Sequence, residues 1–438
     1  MRLKRLTLIR PNMGNYRARD AMPPLALAIL AARTPRSVEV NLFDQRIESV
    51  PRDDSPDLVA ITVETFTARQ AYEIAKGYRS RGIPVVMGGF HPTLLPGEAA
   101  HHADVVVSGD AEGVWEQILE DFEKGKLKPF YTGGNTRPLS GHPADRSIFR
   151  GKKYLPVELV QYGRGCRYSC DFCSISGFYS GNVRTRHVGS VIDEIKTLNT
   201  KHLVFFVDDN LYSTRKEFDS LLEAVTPLKI RWSCQISIDA LNDDDLLDRL
   251  KSSGCVIVLV GFESLLEENL TQMKKHWNRN SGDYMLVVRK LHHRGIAVYG
   301  TFVAGYDGDT TDSIENSVRF ALEAGLEVAN FNLLIPTPGS PLYSRLKKQG
   351  RLLVENWWTD GNYRYGDAAF TPERMEPDVF AAACFKARMK FYSWRSILSR
   401  LFFSRHGFSF FQFVTVLVIN LVSKMEIARK QNRALGGK

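Results

Sequence analysis

Three of the six cysteines lie close together in the segment YGRGCRYSCDFCSISG. They are Cys166, Cys170 and Cys173, with the spacing C-x3-C-x2-C. With six cysteines in 438 residues, three at these fixed spacings are expected by chance only about 0.001 times in the chain. Thiolates are soft ligands for zinc and for iron-sulfur clusters, so the segment is predicted to hold a metal centre.

Two kinds of metal centre use cysteine in this way. Structural zinc is closed by four ligands, commonly offered as two pairs, whereas this loop supplies three cysteines and no fourth Cys or His. A cubane iron-sulfur cluster held by three thiolates leaves one iron with an open position. The spacing favours the cluster, with zinc as the alternative, and an open iron would bind a substrate or a cofactor directly.

The cysteines follow the first of six apolar runs that have the character of buried parallel strands. The runs are VELVQYG, HLVFFVDDN, IRWSCQIS, VIVLVGFE, AVYGTFVAG and VANFNLLIP. Apolar residues at helical spacing lie between them, for example Phe218, Leu221, Leu222 and Val225. Residues 156–350 are therefore predicted to form a partial (β/α)6, TIM-like barrel with its chemistry at the carboxyl ends of the strands.

Residues 1–130 carry an earlier series of strand-like runs: RLTLIRP, VEVNLFD, LVAITVE, PVVMGGF and ADVVVSGD. Between 67 and 82 apolar side chains recur at helical spacing. Five strands with helical crossovers predict a doubly wound, Rossmann-like α/β domain whose ligand crevice lies at the carboxyl strand ends. Residues 131–155, rich in Gly and Pro, are predicted to be a linker, and residues 351–438 a helical C-terminal region.

A C-x3-C-x2-C loop after the first strand of a βα barrel resembles the radical S-adenosylmethionine (SAM) enzymes. The segments PPLALAILAA (23–32), GGFHPTLLP (88–96) and SGDAEGVWEQIL (108–119) resemble the cobalamin-binding domain that precedes the barrel in one subclass. The resemblance implies a [4Fe-4S] cluster on the three cysteines and SAM bound to its open iron. It implies release of a 5′-deoxyadenosyl radical that takes hydrogen from an unactivated carbon. Cobalamin and an external flavodoxin- or ferredoxin-like electron donor follow from the same resemblance.

The resemblance also implies SAM contacts at the barrel strand ends. An aromatic residue in the cluster loop, a D-D-N motif after the second strand and a G-x-E-S motif after the fourth carry this assignment. The implied SAM contacts are Phe172, Asp208, Asp209, Gln235, Ser237, Glu263, Ser264 and Pro336. The chain departs from the family at AGYDGDT (304–310), which stands in place of the usual run and affects the expected contacts of residues 304–309. A purely structural interpretation remains for Asp208, which would also suit a helix cap.

The implied cobalamin crevice lies at the ends of the third, fourth and fifth strands of the N-terminal sheet. Its predicted contacts are Thr62, Val63, Glu64, Gly88, Gly89, Gly109 and Asp110. Domains of this type that supply a lower axial histidine carry D-x-H-x-x-G, whereas the matching loop at 44–49 reads DQRIES. The alternative is a residual structural domain that covers the barrel mouth.

The remaining histidines and cysteines have structural interpretations. His91 is predicted to be a hydrogen-bonded loop residue, and the doublets at 101–102 and 292–293 are predicted to be solvated near helix ends. The isolated cysteines are predicted to be small buried apolar residues; they are Cys234, Cys255 and Cys384.

Positive charge is concentrated at the C-terminus, where eleven Lys or Arg against the single acid Glu426 follow residue 384. The body of the chain is nearly neutral, so a nucleic-acid partner is not expected. No long apolar h-region is present at the N-terminus, which favours the cytoplasm. The segment 394–422 is predicted to be a core or partner-docking helix, a membrane-surface helix or an anchor. Membrane contact would suit a lipid-like substrate.

The leading hypothesis is a cobalamin-dependent radical SAM enzyme that C-methylates an unactivated carbon of a small-molecule or lipid-like substrate. Radical cyclisation, rearrangement or carbon-carbon coupling without methyl transfer is the alternative. A tRNA-modifying methylthiotransferase would need a second cluster on N-terminal cysteines, and none precedes Cys166. A non-enzymatic iron-sulfur scaffold is the hypothesis from another class.

Overall fold

The computed structural model describes residues 2–51, 53–134, 139, 141, 144–212, 214–402 and 407–437. Two six-stranded parallel sheets and one short antiparallel pair hold the strands. The strands are β1 Arg5–Arg10, β2 Glu39–Asp44, β3 Leu58–Thr62, β4 Val85–Gly88, β5 Val105–Ser108, β6 Phe130–Thr132, β7 Val157–Val160, β8 Gly163–Arg164, β9 Arg184–Thr185, β10 Leu203–Phe206, β11 Trp232–Ile236, β12 Cys255–Glu263, β13 Ala297–Ala304 and β14 Val328–Leu333.

Helices connect the strands and cover the sheets. They are α1 Leu25–Ala32, α2 Ala68–Arg79, α3 Phe90–Leu94, α4 Pro96–Ala100, α5 Trp115–Glu123, α6 Ser174–Tyr179, α7 Val188–Lys196, α8 Arg215–Val225, α9 Asp244–Ser252, α10 Glu267–Gln272, α11 His276–Asn280, α12 Tyr284–His293, α13 Thr311–Glu323, α14 Pro341–Lys348, α15 Pro377–Phe391, α16 Trp394–Phe402 and α17 Phe410–Lys430.

The N-terminal sheet has the order β2-β1-β3-β4-β5-β6 and is parallel throughout. Its strands are Val- and Ile-rich because both faces are buried, one against α1 and α5 and the other against α2. The direction of crossover reverses between β1 and β3, which is where this topology opens a ligand crevice. The predicted doubly wound domain is confirmed.

A sixth strand corrects the predicted extent of this sheet. β6 pairs with β5 in parallel and crosses the boundary that was predicted at residue 130. The strand is only three residues long and alternates exposed Phe130 and Thr132 with buried Tyr131. Such a short run carries too little periodicity to be recognised in the sequence.

The second sheet has the order β14-β13-β12-β11-β10-β7, again parallel. All six predicted strands are present, and α8 and α12 bury the apolar faces that their spacing indicated. A core of large aromatic side chains, including Trp232, Phe262, Phe302 and Phe331, fills this half of the protein. The sheet is an open partial barrel with its carboxyl strand ends turned toward the cysteine loop.

The C-terminal region is helical only from Pro377 onward, which corrects the prediction of helix from 351. Residues 351–376 instead form an irregular bridge between the two domains. Trp357 and Trp358 are buried in the N-terminal core, with Trp357 Nε1 donating to Pro336 O and Trp358 Nε1 to the Glu98 carboxylate. Among the described residues, α17 is the one helix long and apolar enough to cross a membrane.

Candidate functional site

The three cysteines lie on a loop between β8 and α6, which starts directly after Cys173. β8 pairs with β9 in an antiparallel ladder that closes the base of the loop. Gly165 enters the loop with a φ of 89°, and a Cβ there would collide with the carbonyl of Asn182. Only glycine suits this turn, so the backbone before Cys166 is fixed by its sequence.

Acidic residues after β10 hold the same loop from the opposite side. Asp208 accepts hydrogen bonds from the backbone N–H groups of Tyr162 and Gly163, the first across 3.0 Å, and Asp209 accepts from Gly165 N across 2.8 Å. Both carboxylates were predicted to contact SAM. In the structure they position the backbone that leads to Cys166, and the helix-cap alternative for Asp208 does not apply.

Asn210 completes the D-D-N motif and was missing from the predicted site. Its side-chain N–H donates to Ser237 Oγ across 3.2 Å and lies 3.9 Å from the Sγ of Cys166. Its Oδ1 accepts from the backbone N–H of Ser237. Asn210 therefore joins the ends of two neighbouring strands to the first cysteine, and its place in the motif is the signal that would have found it.

The thiols lie in a partly buried pocket beside a cation. Burial raises the pKa of Cys170 to about 12, while the ammonium of Lys275 opposes that rise. Burial also raises the pKa values of Cys166 and Cys173 above the usual range. Thiols in such surroundings stay protonated until a metal displaces the proton. The donor set, three thiols on one loop with a cation behind them, fits an anionic thiolate-bound cluster.

Lys275 itself was absent from the sequence prediction. Its Nζ lies 2.7 Å from Glu263 Oε1, and both side chains are about nine-tenths buried. Glu263 has a φ of 61°, an uncommon conformation for a non-glycine residue, which directs its side chain toward the lysine. No local pattern links the two residues, because the helix α10 separates them in the chain.

The middle of the cysteine loop is anchored to the barrel by Asp171. This buried carboxylate accepts hydrogen bonds from Tyr306 Oη and from Arg345, the latter across 3.0 Å. The ring of Phe172 packs edge-on against Tyr306. Tyr306 belongs to the segment 304–309 that departs from the family pattern, so this departure has a structural role in holding the loop.

The other predicted SAM contacts lie at the same rim with different degrees of access. Gln235 is exposed and Ser237 half-buried, whereas Pro336 is buried under Trp357. Ser264 is buried and accepts from the amide of Asn269 and from Leu266 N. These residues share the strand-end rim, as predicted, and their contacts with SAM remain a prediction.

A cavity of about 420 Å³ lies at the carboxyl ends of β1, β3, β4 and β5. A neighbouring cavity of about 290 Å³ shares several lining residues with it, among them Asp110, Glu112 and Arg164. Six of the seven predicted crevice residues line the larger cavity: Thr62, Glu64, Gly88, Gly89, Gly109 and Asp110. Val63 does not, because its side chain is buried in the apolar core on the α2 side.

Glycines shape this crevice. A Cβ on Gly89 would lie 2.9 Å from the Val63 carbonyl oxygen, and the residue has a φ of 108°. A Cβ on Gly109 would lie 3.0 Å from the carbonyl oxygen of Gly133, at a φ of 80°. A side chain at either position would collide with the backbone of the neighbouring strand-end loop, so glycine allows the loops that line the crevice to pack closely.

The loop at 44–49 is closed by ion pairs. Asp44 is fully buried, and the Arg46 guanidinium donates hydrogen bonds to its carboxylate from both Nε and Nη2. Tyr154 Oη donates to the same carboxylate across 3.2 Å, and Lys152 pairs with Glu48. Arg46 occupies the position at which the D-x-H-x-x-G motif has its histidine, and its guanidinium forms an ion pair with Asp44.

An ion-pair network joins the crevice to the cysteine loop. Arg164, two residues before Cys166, pairs with Asp110 across 3.1 Å and with Glu112. Asp110 also pairs with Arg184 on β9. Burial would raise the pKa of Glu112, but the Arg164 guanidinium holds it below the usual value. The crevice and the loop therefore share a wall, which α6 completes with Phe178 and Tyr179.

The histidines and the isolated cysteines differ in burial and in their contacts. His91 is buried within hydrogen-bond distance of Tyr72 Oη and Glu98, which confirms its hydrogen-bonded role, although it lies in the short helix α3. His101 and His293 are exposed as predicted, whereas His102 is half-buried with its ring stacked on Tyr72, which corrects the prediction for that residue. His292 is buried against Glu327, so the prediction that it is solvated is wrong. The three isolated cysteines are buried and free.

Comparison with known proteins supports the two-domain description. Residues 160–321 match the Radical SAM superfamily, and residues 17–119 match the B12 binding domain. Bacteriochlorophyllide d C-12(1)-methyltransferase of Chlorobaculum tepidum is 32% identical, over 86% of this chain and 84% of the relative. The C-8(2)-methyltransferase of that organism is 28% identical, over 87% and 88%.

Solved structures share the fold. The methyltransferase TsrM of Kitasatospora setae, determined with cobalamin and a [4Fe-4S] cluster, superposes with a TM-score of 0.63 at 19% identity, covering 87% of this chain and 85% of its own. The cobalamin-dependent enzyme OxsB gives a TM-score of 0.62 at 13% identity, over 98% and 80%. At these identities the likeness concerns architecture alone.

A thiol loop at the mouth of a parallel barrel, joined to a glycine-lined crevice in a doubly wound domain, defines an enzyme class that couples an iron-sulfur cluster to a corrin. The chain belongs to the radical SAM superfamily, in the branch that carries a B12-binding domain. Its cofactors are accordingly a [4Fe-4S] cluster, SAM and cobalamin. The prediction of a cobalamin-dependent radical SAM methyltransferase is confirmed at the level of the family.

Proposed function

We propose that this enzyme C-methylates an unactivated side-chain carbon of a chlorin-type tetrapyrrole. The observation that carries the proposal is the match to two bacteriochlorophyllide d methyltransferases over more than four-fifths of every chain involved. Hopanoid C-2 methylase of Rhodopseudomonas palustris is 26% identical, but only 66% of its length is covered. The chlorin therefore ranks above a hopanoid as the substrate.

The wall between the two cofactor sites supports methyl transfer over other radical chemistry. When bound, the cluster with SAM supplies a radical that removes hydrogen, and the cobalamin supplies a methyl group. Arg164 reaches from the loop of Cys166 to Asp110 and Glu112 at the crevice, so an ion-pair network connects the two sites. A substrate carbon at this wall would be within reach of both.

The residues of this chain would bind the cofactors, hold the cysteine loop in place and exclude water. Cys166, Cys170 and Cys173 would bind the cluster, while Asp208 and Asp209 keep their loop in place through the backbone. Gly89 and Gly109 let the strand-end loops that line the crevice pack closely around the corrin site. Phe178 and Tyr179 of α6 line the crevice on the side of the cysteine loop and would help to exclude water from the space between the cofactors.

The overall reaction balances without a proton. One SAM gives up its methyl group and becomes S-adenosylhomocysteine, while a second is reduced to methionine and 5′-deoxyadenosine, which carries away the substrate hydrogen. A flavodoxin- or ferredoxin-like protein is the proposed source of the two electrons required. The reducing environment indicated by six free cysteines suits a cytoplasmic location.

The test is turnover of bacteriochlorophyllide d by the reconstituted holoenzyme under anaerobic conditions, with SAM that carries a trideuterated methyl group. The expected product contains the intact labelled methyl, with one 5′-deoxyadenosine and one S-adenosylhomocysteine formed per product. The Cys173→Ala variant, prepared in parallel, should form no methylated product and no 5′-deoxyadenosine. Release of 5′-deoxyadenosine with an altered but unlabelled chlorin would overturn methyl transfer, and labelling of a hopene instead would overturn the substrate.

A further inference from the structure

The C-terminal helix α17 has its polarity reversed relative to an ordinary surface helix. Its buried side chains include Gln412, Asn420 and Glu426, with Asn420 only 1% exposed. Its most exposed large side chains are apolar: Phe410 at 82%, with Val414, Val418 and Met425. At 3.6 residues per turn these four lie within an arc of about 80°, opposite the buried polar residues. A surface helix in water shows the opposite arrangement.

The inward polar residues fasten α17 to the barrel. Gln412 donates to the carbonyl oxygens of Val256 and Gly295, and Asn420 donates to that of Glu327. These carbonyls lie at the amino ends of barrel strands, on the side away from the cysteine loop. The polar face of the helix therefore packs against the barrel, and the apolar face is exposed on the surface of the protein.

The far end of α17 is fastened to the N-terminal domain. Glu426 accepts from the backbone N–H of Arg19, and Lys430 pairs with Asp20 across 2.5 Å. Polar contacts at both ends of α17 therefore hold the helix against the rest of the protein. It is long enough to cross a bilayer, but these contacts keep it parallel to the protein surface.

The preceding helix α16 extends the apolar face. Trp394 is 58% exposed, and Leu398, one turn later, is also exposed. Lys424 of α17 lies over the Trp394 ring, with Nζ 5.3 Å from the ring centroid. Tryptophan with an adjacent lysine is typical of the boundary between lipid headgroups and acyl chains.

Charge identifies the surface that this face would meet. Arg231 lies over the ring of Phe411 at 3.7 Å, and Arg395 is exposed beside Trp394, so cations flank the apolar face at both ends. The sole acid between residues 394 and 430 is Glu426, which is buried and points inward. An apolar face bordered by cations and free of acids complements an anionic lipid surface.

We propose that α16 and α17 form a membrane-docking face, which seats the enzyme on the surface of an anionic bilayer without spanning it. The face is defined by Trp394, Leu398, Phe410, Val414, Val418 and Met425. The inference rests on side-chain exposure and charge and is independent of the proposed substrate. A test of vesicle binding therefore stands or falls separately from any test of methyl transfer.

The experiment is flotation of the full chain with vesicles of phosphatidylglycerol and phosphatidylcholine, compared with phosphatidylcholine alone. The docking variant is Phe410→Ser/Val414→Ser/Val418→Ser, and the matched control is Leu286→Ser/Leu353→Ser/Val379→Ser, which alters three comparably exposed apolar residues elsewhere. Wild type and control should float with the anionic vesicles. The docking variant should lose at least about tenfold in partitioning, with an unchanged melting temperature.

Several results would overturn the proposal. Equal flotation of the docking variant and the wild type would remove the apolar face as the contact, and absence of wild-type flotation would remove the membrane. Equal binding to both kinds of vesicle would remove the role of the cations. A wild-type dimer that the docking variant converts to a monomer, with no vesicle binding by either, would reassign the face to contact between copies of the chain.

Discussion

Lys275 and Glu263 form a buried ion pair beside the cysteine loop, with Nζ and Oε1 2.7 Å apart. The ammonium acts electrostatically on both Cys166 and Cys170. Both side chains are about nine-tenths buried, so the positions that their charges can take relative to the thiols are limited. The pair therefore sets part of the field in which a bound cluster would change its charge.

Single substitutions of this pair should move the cluster's reduction potential in opposite directions. Lys275→Met removes a positive charge and should make the cluster harder to reduce, while Glu263→Gln should make it easier. The measurement is a potentiometric titration followed by electron paramagnetic resonance, in the absence of SAM. The double variant should lie between the singles; shifts of the same sign in both singles would contradict the electrostatic role.

The same pair should show in stability. Lys275→Met leaves the Glu263 carboxylate buried without its cation, which should lower the free energy of unfolding by about 3–5 kcal/mol. Adding Glu263→Gln should recover most of that loss, because an amide costs less to bury than an unpaired carboxylate. Denaturant unfolding of the apo-protein checks both values, and a double variant no more stable than Lys275→Met would refute the pairing.

The cysteines on the loop should be separable from those in the core. Cys170→Ala should abolish the cluster absorbance and the formation of 5′-deoxyadenosine, because two thiolates do not retain a cubane stably. Cys255→Ala, a buried cysteine in β12, serves as the control and should keep both. Iron content after anaerobic reconstitution and product analysis by chromatography make the comparison. Full activity in Cys170→Ala would exclude the loop as the cluster site.

The crevice glycine should be needed for corrin but not for iron. Gly89→Ala places a Cβ 2.9 Å from the Val63 carbonyl oxygen at the end of β3, whereas a Cβ on Gly125 meets nothing within 4 Å. Both residues have positive φ, but Gly125 lies in the left-handed helical region, where alanine costs about 1–2 kcal/mol, whereas Gly89, at φ 108° and ψ −166°, lies in a region open essentially to glycine alone, where alanine costs more. Gly89→Ala should lose about tenfold or more in bound corrin with normal iron, since the crevice walls must shift. Equal corrin content in Gly89→Ala and Gly125→Ala would remove the crevice as the site.

The fold was largely predictable because its signals are local. All six barrel strands and five of six N-terminal strands appear as apolar runs, and the C-x3-C-x2-C spacing is contained in a single loop. Parallel sheets buried on both faces leave such runs in the sequence. The strand that was missed, β6, is too short to carry a period.

The contacts that build the site were less predictable because they join distant parts of the chain. Lys275 reaches Glu263 past a helix, and Arg164 meets Asp110 across a domain boundary. Trp357 and Trp358 pack into the N-terminal core from a segment predicted to be helical. Residue types alone do not reveal such partners, because each depends on which loops the fold brings together.

Asp208 gives the stability of the apo-protein a pH dependence. Burial raises the pKa of this carboxyl to about 7, whereas an unfolded chain has the ordinary value near 4. The folded state thus binds the proton more tightly, so the stabilisation is complete below pH 4 and is lost as pH rises through 7.

Asp208→Asn keeps an acceptor for the backbone N–H groups and does not titrate. Relative to that variant, the wild type should lose about 2 kcal/mol of unfolding free energy between pH 5 and pH 8, as measured by urea denaturation. A difference that stays constant across this range would show that Asp208 is ionised in the fold throughout, with its charge stabilised by the N–H groups of Tyr162 and Gly163.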